Sequence, residues 1–221
     1  MLYCSAQLAY NPNHDAQIFA GDAMGTFALI VLVLAVAVVL YGVHIYNQLV
    51  ALKNRYRNAF AQIGVQLTRR YDLIPNLVET AKAYMRHERE TMEAVIAARN
   101  QAVAGLDQAA AAPGNAAALQ QLAGAEQGLS QALGRFNMLM EAYPDLKASA
   151  SMMQLSEEIS STENKVSFAR QAYNDQVMAY NAYRQSFPAV LLAGSFGHGE
   201  DAALLEFANS QEIQQAPRVS F

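Results

Sequence analysis

Phe27-Ala28-Leu29-Ile30-Val31-Leu32-Val33-Leu34-Ala35-Val36-Ala37-Val38-Val39-Leu40-Tyr41-Gly42-Val43 holds no charge and no strongly polar side chain. A helix rises ~1.5 Å per residue and the bilayer hydrocarbon is ~30 Å thick, so this run with Met24, Thr26 and Ile45 is long enough to cross. Val and Ile are poor helix formers in water, but lipid gives backbone N–H and C=O groups no outside partner, and that constraint overrides propensity. The alternative is a buried core helix, which would ordinarily carry a polar stripe; none is present. The run is therefore read as a transmembrane helix over 26–45, with Phe27, Leu29, Ile30, Leu34, Leu40 and Val43 as span residues.

Outside the run the composition is that of a helical protein. The chain has 221 residues, no Trp and a hydrophobic fraction of 53%, much of which is the span and the many alanines. A net charge of -4 argues against a nucleic-acid partner. The single Cys4 cannot form an internal disulfide. No Lys or Arg precedes Lys53 and the apolar core is long, so an uncleaved anchor is favoured over a cleavable signal peptide. Asp15 and Asp22 lie before the span, whereas Lys53, Arg55 and Arg57 follow it. The positive-inside rule then expects the N-terminus outside and the bulk in the cytoplasm.

Residues 1–25, with Asn11-Pro12-Asn13-His14-Asp15 and Gly21-Asp22, mix turn formers with scattered apolar residues and are expected as an exposed, loosely ordered tail. From Tyr46 no stop signal intervenes, so the span is expected to run on into the first helix of a bundle over 46–188. Leu49, Leu52, Tyr56, Ala59 and Ile63 form its apolar seam. Pro75 then removes a donor and clashes with the carbonyl of Tyr71, which predicts a kink or a restart, with Asp72 able to cap a new helix. That helix is expected to reach about Leu106, with Val78, Met85, Met92, Val95 and Ala102 inward.

Pro113-Gly114-Asn115 is the clearest turn signal. The next helix carries Leu119, Leu122, Leu129, Leu133, Phe136 and Met140 at steps of three and four, with Glu126 filling one apolar slot. Gly124 and Gly128 are expected as soft points, each costing ~1 kcal/mol in a helix. Tyr143-Pro144-Asp145 predicts a second turn with Asp145 as N-cap. The last helix, Leu146 to about Ser186, repeats Ile159, Val166, Tyr173, Tyr180 and Phe187 every seventh residue, with Leu155, Thr162, Ala169, Gln176 and Tyr183 in the companion slots. Residues 189–221 form an apolar C-terminal tail that must bury itself. The fold class is all-α: an N-terminal transmembrane helix continuing into an elongated antiparallel helical bundle of three to four long helices. A full reversal near Asp72 gives an up-down-up-down bundle that returns the tail to the membrane; a kink at Pro75 leaves three helices standing away from it.

Tyr46-Asn47-Gln48-Leu49-Val50, Ala61-Gln62-Ile63-Gly64-Val65-Gln66-Leu67 and Arg69-Arg70-Tyr71-Asp72-Leu73-Ile74-Pro75-Asn76-Leu77-Val78-Glu79-Thr80 closely resemble the LemA family. The likeness continues through Glu141-Ala142-Tyr143-Pro144-Asp145-Leu146, Thr162-Glu163-Asn164-Lys165, Tyr173-Asn174, Tyr180-Asn181, Phe187-Pro188 and Ala193-Gly194-Ser195-Phe196-Gly197. The resemblance implies a bacterial single-pass protein of the cytoplasmic membrane with a coiled-coil-like soluble part. It implies no reaction. A relation of the family to a magnetosome protein associated with membrane invagination makes a membrane-organising scaffold a reasonable analogy.

The search for chemistry is largely negative. His87-Glu88 begins like a zinc protease helix, but Thr91 stands where the second His is needed, and His14, His44 and His198 are scattered. No nucleophile elbow or phosphate loop occurs, so no catalytic, cofactor-binding or metal residue is expected. Lys53, Arg55 and Arg57 are expected to face anionic lipid or only to set topology. Arg69, Arg70, Asp72 and Asn76 around Pro75 are expected to satisfy the helix break, or to contact a partner. The sequence points to a non-enzymatic membrane-anchored scaffold that self-associates, as a homo-oligomer, or organises the membrane; the alternative is an adaptor for a membrane protein such as a protease or signalling protein.

Overall fold

Apolar residues at helical spacing, few breakers and much alanine give helix almost throughout. The computed structural model describes residues 12–207, with side chains from Gly25 onward. Its elements are α1 (Pro12–Lys82), α2 (Arg89–Ala111), α3 (Ala116–Met140), α4 (Pro144–Lys147), α5 (Ala150–Gln185) and α6 (Ala189–Ala193), with no strand among the described residues. The fold is all-α. The chain divides into two compact units between Asn47 and Gln48.

The first unit is the N-terminal part of α1. Among the described residues helix runs from Pro12, so the part of the expected loosely ordered tail that falls on residues 12–25 is helical. Proline tolerates a first helical turn because its missing donor is unpaired there anyway. Residues 1–11, Cys4 among them, and 208–221 lie outside the described residues. The apolar run meets the length and composition needed to cross a membrane, and none of its most apolar window is buried. That counts against the core-helix alternative, whose defining property is cover by the rest of the chain.

In the second unit the C-terminal part of α1 buries Leu49, Leu52, Tyr56, Phe60, Ile63 and Leu67, as the seam predicts, except that Phe60 takes the inward place expected for Ala59. Contacts fix the sense of each neighbour. Arg99 of α2 reaches Tyr71, so α2 runs back along α1. Glu126 of α3 meets Arg70 and Tyr71, while Tyr173 and Tyr180 of α5 meet Phe60 and Tyr56. A Cβ on Gly105 would stand 3.3 Å from the Leu122 Cα, so α2 and α3 approach backbone to backbone there. By contrast a Cβ at Gly124 or Gly128 would meet nothing within 4 Å, in keeping with soft points rather than close packing.

Pro75 neither ends nor restarts the helix; it lies inside α1, and Asp72 caps nothing. The Tyr71 carbonyl that proline deprives of its donor accepts instead from Arg99 Nε at 3.2 Å, with Arg99 Nη2 3.7 Å from Asp72. The chain reverses later, over 83–88, a stretch with no Gly or Pro. There Tyr84 and Met85 donate to the Ala81 carbonyl and the Met85 side chain is fully buried. The long last helix is also divided. α4 begins at Pro144 without a side-chain cap, so Asp145 is not the N-cap, and Ser149 is extended before α5. Phe187 leaves the predicted seam, because α5 stops at Gln185 and Ser186 is extended.

Arg99→Met should cost ~1–3 kcal/mol by orphaning the Tyr71 carbonyl, and adding Pro75→Ala, which restores the helical donor, should recover much of it. A double-mutant cycle of denaturation midpoints on the full chain measures the coupling. Gly128→Ala should stabilise by up to ~1 kcal/mol, whereas Gly105→Ala should destabilise; thermal unfolding followed by helical circular dichroism distinguishes the two.

Candidate functional site

The heptad pairs Tyr173-Asn174 and Tyr180-Asn181 build a clamp on α5. The tyrosine rings turn inward, with Tyr180 packed edge-on to Tyr56 at 5.3 Å and Tyr173 on Phe60 at 5.6 Å. The asparagines take the main chain of the segment after α6. Asn181 exchanges two hydrogen bonds with Ala202, both 2.9 Å, and Asn174 exchanges two with Leu205, at 2.9 and 3.2 Å. Seven helical residues span ~10.5 Å, so three residues from 202 to 205 must be almost fully extended to meet both. Tyr173 donates to the Ala203 carbonyl at 2.8 Å. In this strap Ala202 and Leu205 are buried, which meets the expectation of a self-burying tail in part; Val190, Leu191 and Leu204 of the same tail stay exposed.

The strap also holds the α2–α3 turn. Ala203 N–H donates to the Gly114 carbonyl at 2.9 Å, and Asn115 caps α3 by accepting from Ala118 N–H at 3.0 Å. Gly114 has φ +93°, where a Cβ is strained and would lie 3.2 Å from that of Ala202. Asp201 accepts from Arg184 and Gln185, and Tyr180 shares a 3.0 Å hydrogen bond with His198 Nδ1. Burial, then the charge of Lys53, holds the His198 imidazole below its ordinary range.

A second polar centre lies in the core. Glu126, seen in the sequence as an intruder in the α3 seam, accepts from Arg70 at 3.1 Å and from the Tyr71 hydroxyl. Both charged side chains are about 95% buried. Burial pushes the Glu126 carboxyl up, against the pull of Arg70 and the Tyr71 hydrogen bond; burial and the neighbouring carboxylate also push the Tyr71 phenol up, so it stays a donor. Arg70 Nε is the one buried side-chain polar atom without a partner among the described residues. The Arg70 side chain lines a cleft of about 450 Å³ together with Ser130 and Asn137 of α3 and Ser156, Ser160 and Glu163 of α5. A larger cleft, about 640 Å³, lies between the end of α1 and α2, with Pro75, Val78, Met92 and Ile96 below Lys82, Arg86 and Arg89.

The structure separates the residues that the sequence grouped. Of Arg69, Arg70, Asp72 and Asn76 only Arg70 turns inward; Arg69, Asp72 and Asn76 are exposed. The group that satisfies the proline is Arg99, which sequence reasoning missed because it lies on another helix, 28 positions away from Tyr71. Arg55 and Arg57 are exposed and Lys53 is half-buried. Phe27, Leu29, Ile30, Leu34, Leu40 and Val43 are all exposed. Among the described residues no three His, Cys, Asp or Glu side chains come together to hold a metal.

Glu126→Ala should cost ~3–5 kcal/mol by stranding buried Arg70, and Arg70→Met with Glu126→Leu should cost far less; chemical denaturation checks both. The His198 effect has a defined sign. An imidazole that binds its proton less readily when folded stabilises fully above ~6.5 and loses that contribution as pH falls through this value. Glu126, whose raised carboxyl pKa works in the opposite direction, is common to both proteins in a comparison of wild type with His198→Gln. The wild type should lose more melting temperature than the variant between pH 7.5 and 5.5.

The profile of the LemA family matches residues 59–221, about three quarters of the chain. No curated protein matches it. The chain belongs to the LemA family.

Proposed function

We propose that this LemA-family chain is a non-enzymatic scaffold, anchored by residues 26–45 in a bacterial cytoplasmic membrane, whose helical unit self-associates or organises the membrane. The observation that carries the reading is the apolar run: α1 holds an uninterrupted series of large aliphatic side chains with no cover from the rest of the chain. Burying such a surface is worth ~25 cal/mol per Å², and lipid is the medium that matches its length. Lys53, Arg55 and Arg57 favour a cytoplasmic helical unit and can meet anionic lipid.

The buried polar groups support a structural rather than a chemical role. Glu126, Arg70, Tyr71, Arg99, Asn174 and Asn181 are each engaged with the backbone or with one another. On this reading the protein needs no cofactor and no nucleic acid. Purified full-length protein in mild detergent should run as an oligomer by light scattering, and should change liposome shape when reconstituted. A strict monomer that leaves liposomes unaltered would overturn the scaffold.

A second reading, an adaptor for a membrane partner, is favoured by the cleft between α1 and α2, where apolar Pro75, Val78, Met92 and Ile96 lie with the ion pairs Lys82–Glu79 and Arg89–Glu93, a lining that suits an amphipathic segment. Crosslinking in cells from a photoreactive residue at Ile96 should then trap one dominant foreign protein. Self-crosslinks alone would count against it.

A further inference from the structure

α6 is inside out for a water-facing segment. Its small residues Ala189 and Ala193 are buried, whereas Val190 and Leu191 are 48% and 69% exposed, and the neighbouring Phe187 is 81% exposed. Three large apolar side chains exposed within five residues of sequence are a contact waiting for a partner.

Their position within the helical unit identifies that partner. α5 runs opposite to α1, Tyr180 packs on Tyr56, and α5 ends five residues later at Gln185. Phe187 and α6 therefore stand at the end of the unit that begins with Gln48. His198 ties the segment in place by donating its N–H to the Ala193 carbonyl at 2.8 Å, and the charge of Lys53 is felt at His198. Arg55 and Arg57 are exposed on the same part of α1. Of the acidic groups there, Asp201 is paired with Arg184 and Glu200 is exposed, so cations outnumber carboxylates. In any conformation of the chain, the five residues from Val43 to Gln48 span at most ~18 Å, so the first residue of the helical unit stays within that distance of the end of the apolar run.

We infer that Phe187, Val190 and Leu191 are an interfacial membrane contact, which dips into the headgroup and upper acyl region of the lipid that holds the apolar run, beside Lys53, Arg55 and Arg57. The inference rests on the membrane reading above and adds to it a second attachment, made by a later part of the chain at the end of the helical unit that begins with Gln48. An aromatic and two aliphatic side chains beside basic residues are the composition of shallow interfacial binding, ~5–10 Å deep. A second copy fits less well. Three side chains offer on the order of a few hundred Å², and stable protein interfaces bury ~1,200–2,000 Å² in total.

The chain has no Trp, so Phe187→Trp supplies a single fluorophore at an exposed position. The full-length variant is reconstituted in bilayers of phosphatidylethanolamine and phosphatidylglycerol, with or without bromine on the upper acyl chain. Blue-shifted emission, quenched by the brominated lipid and shielded from aqueous acrylamide, is the expected result. Full quenching by acrylamide with none by the brominated lipid would overturn the inference, as would protection from both, which would mean cover by a second copy. Phe168→Trp, at an exposed site in the middle of α5, should remain open to acrylamide. Leu34→Trp separates the two levels of failure. If it too escapes lipid quenching, the membrane reading falls and the contact with it; if it is quenched while Phe187→Trp is not, only the contact falls.

Discussion

The carbonyl oxygen of Tyr71 has lost its helical donor to Pro75, and the guanidinium of Arg99 takes the donor's place. A buried backbone acceptor left empty costs free energy comparable to a lost hydrogen bond, so this contact decides whether α1 continues or breaks. Because it continues, the helix reaches Lys82 and the chain turns seven residues beyond the proline. The same turn of α1 holds its other neighbour too, since Arg70 and Tyr71 take the two oxygens of Glu126. Two adjacent residues thereby fix the register of both α2 and α3. Hydrophobic seams bring helices together but tolerate sliding by a turn; directional bonds at one level do not.

The opposite end of the helical unit is fixed by a different device. Two tyrosine–asparagine pairs, one heptad apart, send aromatic rings to α1 and amides to the strap that follows α6. An amide side chain has both donor and acceptor, so it can replace a strand partner and satisfy both main-chain groups of one residue. The strap then reaches Gly114 and secures the turn between α2 and α3. The main chain of Ala202, Ala203 and Leu205 is thus hydrogen-bonded without regular structure, so Ala202 and Leu205 are buried without stranding their backbone groups, the usual obstacle to burying such a segment.

The two units handle apolar surface in opposite ways. In the helical unit most of the large Leu, Ile, Val and aromatic side chains are withdrawn, Phe168, Phe187, Val190 and Leu191 being among the exceptions, and polar intruders are paired; in the N-terminal part of α1 the large aliphatic side chains face outward from Phe27 to Val43. The same side chains would be unstable in water without cover. This contrast within one LemA-family chain supports two media rather than one.

Helical content, the all-α class and the apolar run were legible from residues 27–43 and from the spacing of Leu, Ile and Tyr, because periodicity and length are local properties. So was the turn at Pro113-Gly114-Asn115, since only glycine takes its positive φ without strain, and so was the irregularity of Glu126 in an apolar slot. What Glu126 binds was not legible, nor was the fate of Pro75. Each was decided by a group far away in sequence: Arg70 and Tyr71 in one case, Arg99 in the other. The reversal over 83–88 carries no breaker at all, and Phe187 keeps the heptad spacing but leaves the seam because the helix ends before it. Local chemistry determined which segments are helical. Long-range hydrogen bonds to otherwise empty backbone and carboxylate groups decided where those helices stop, turn and meet.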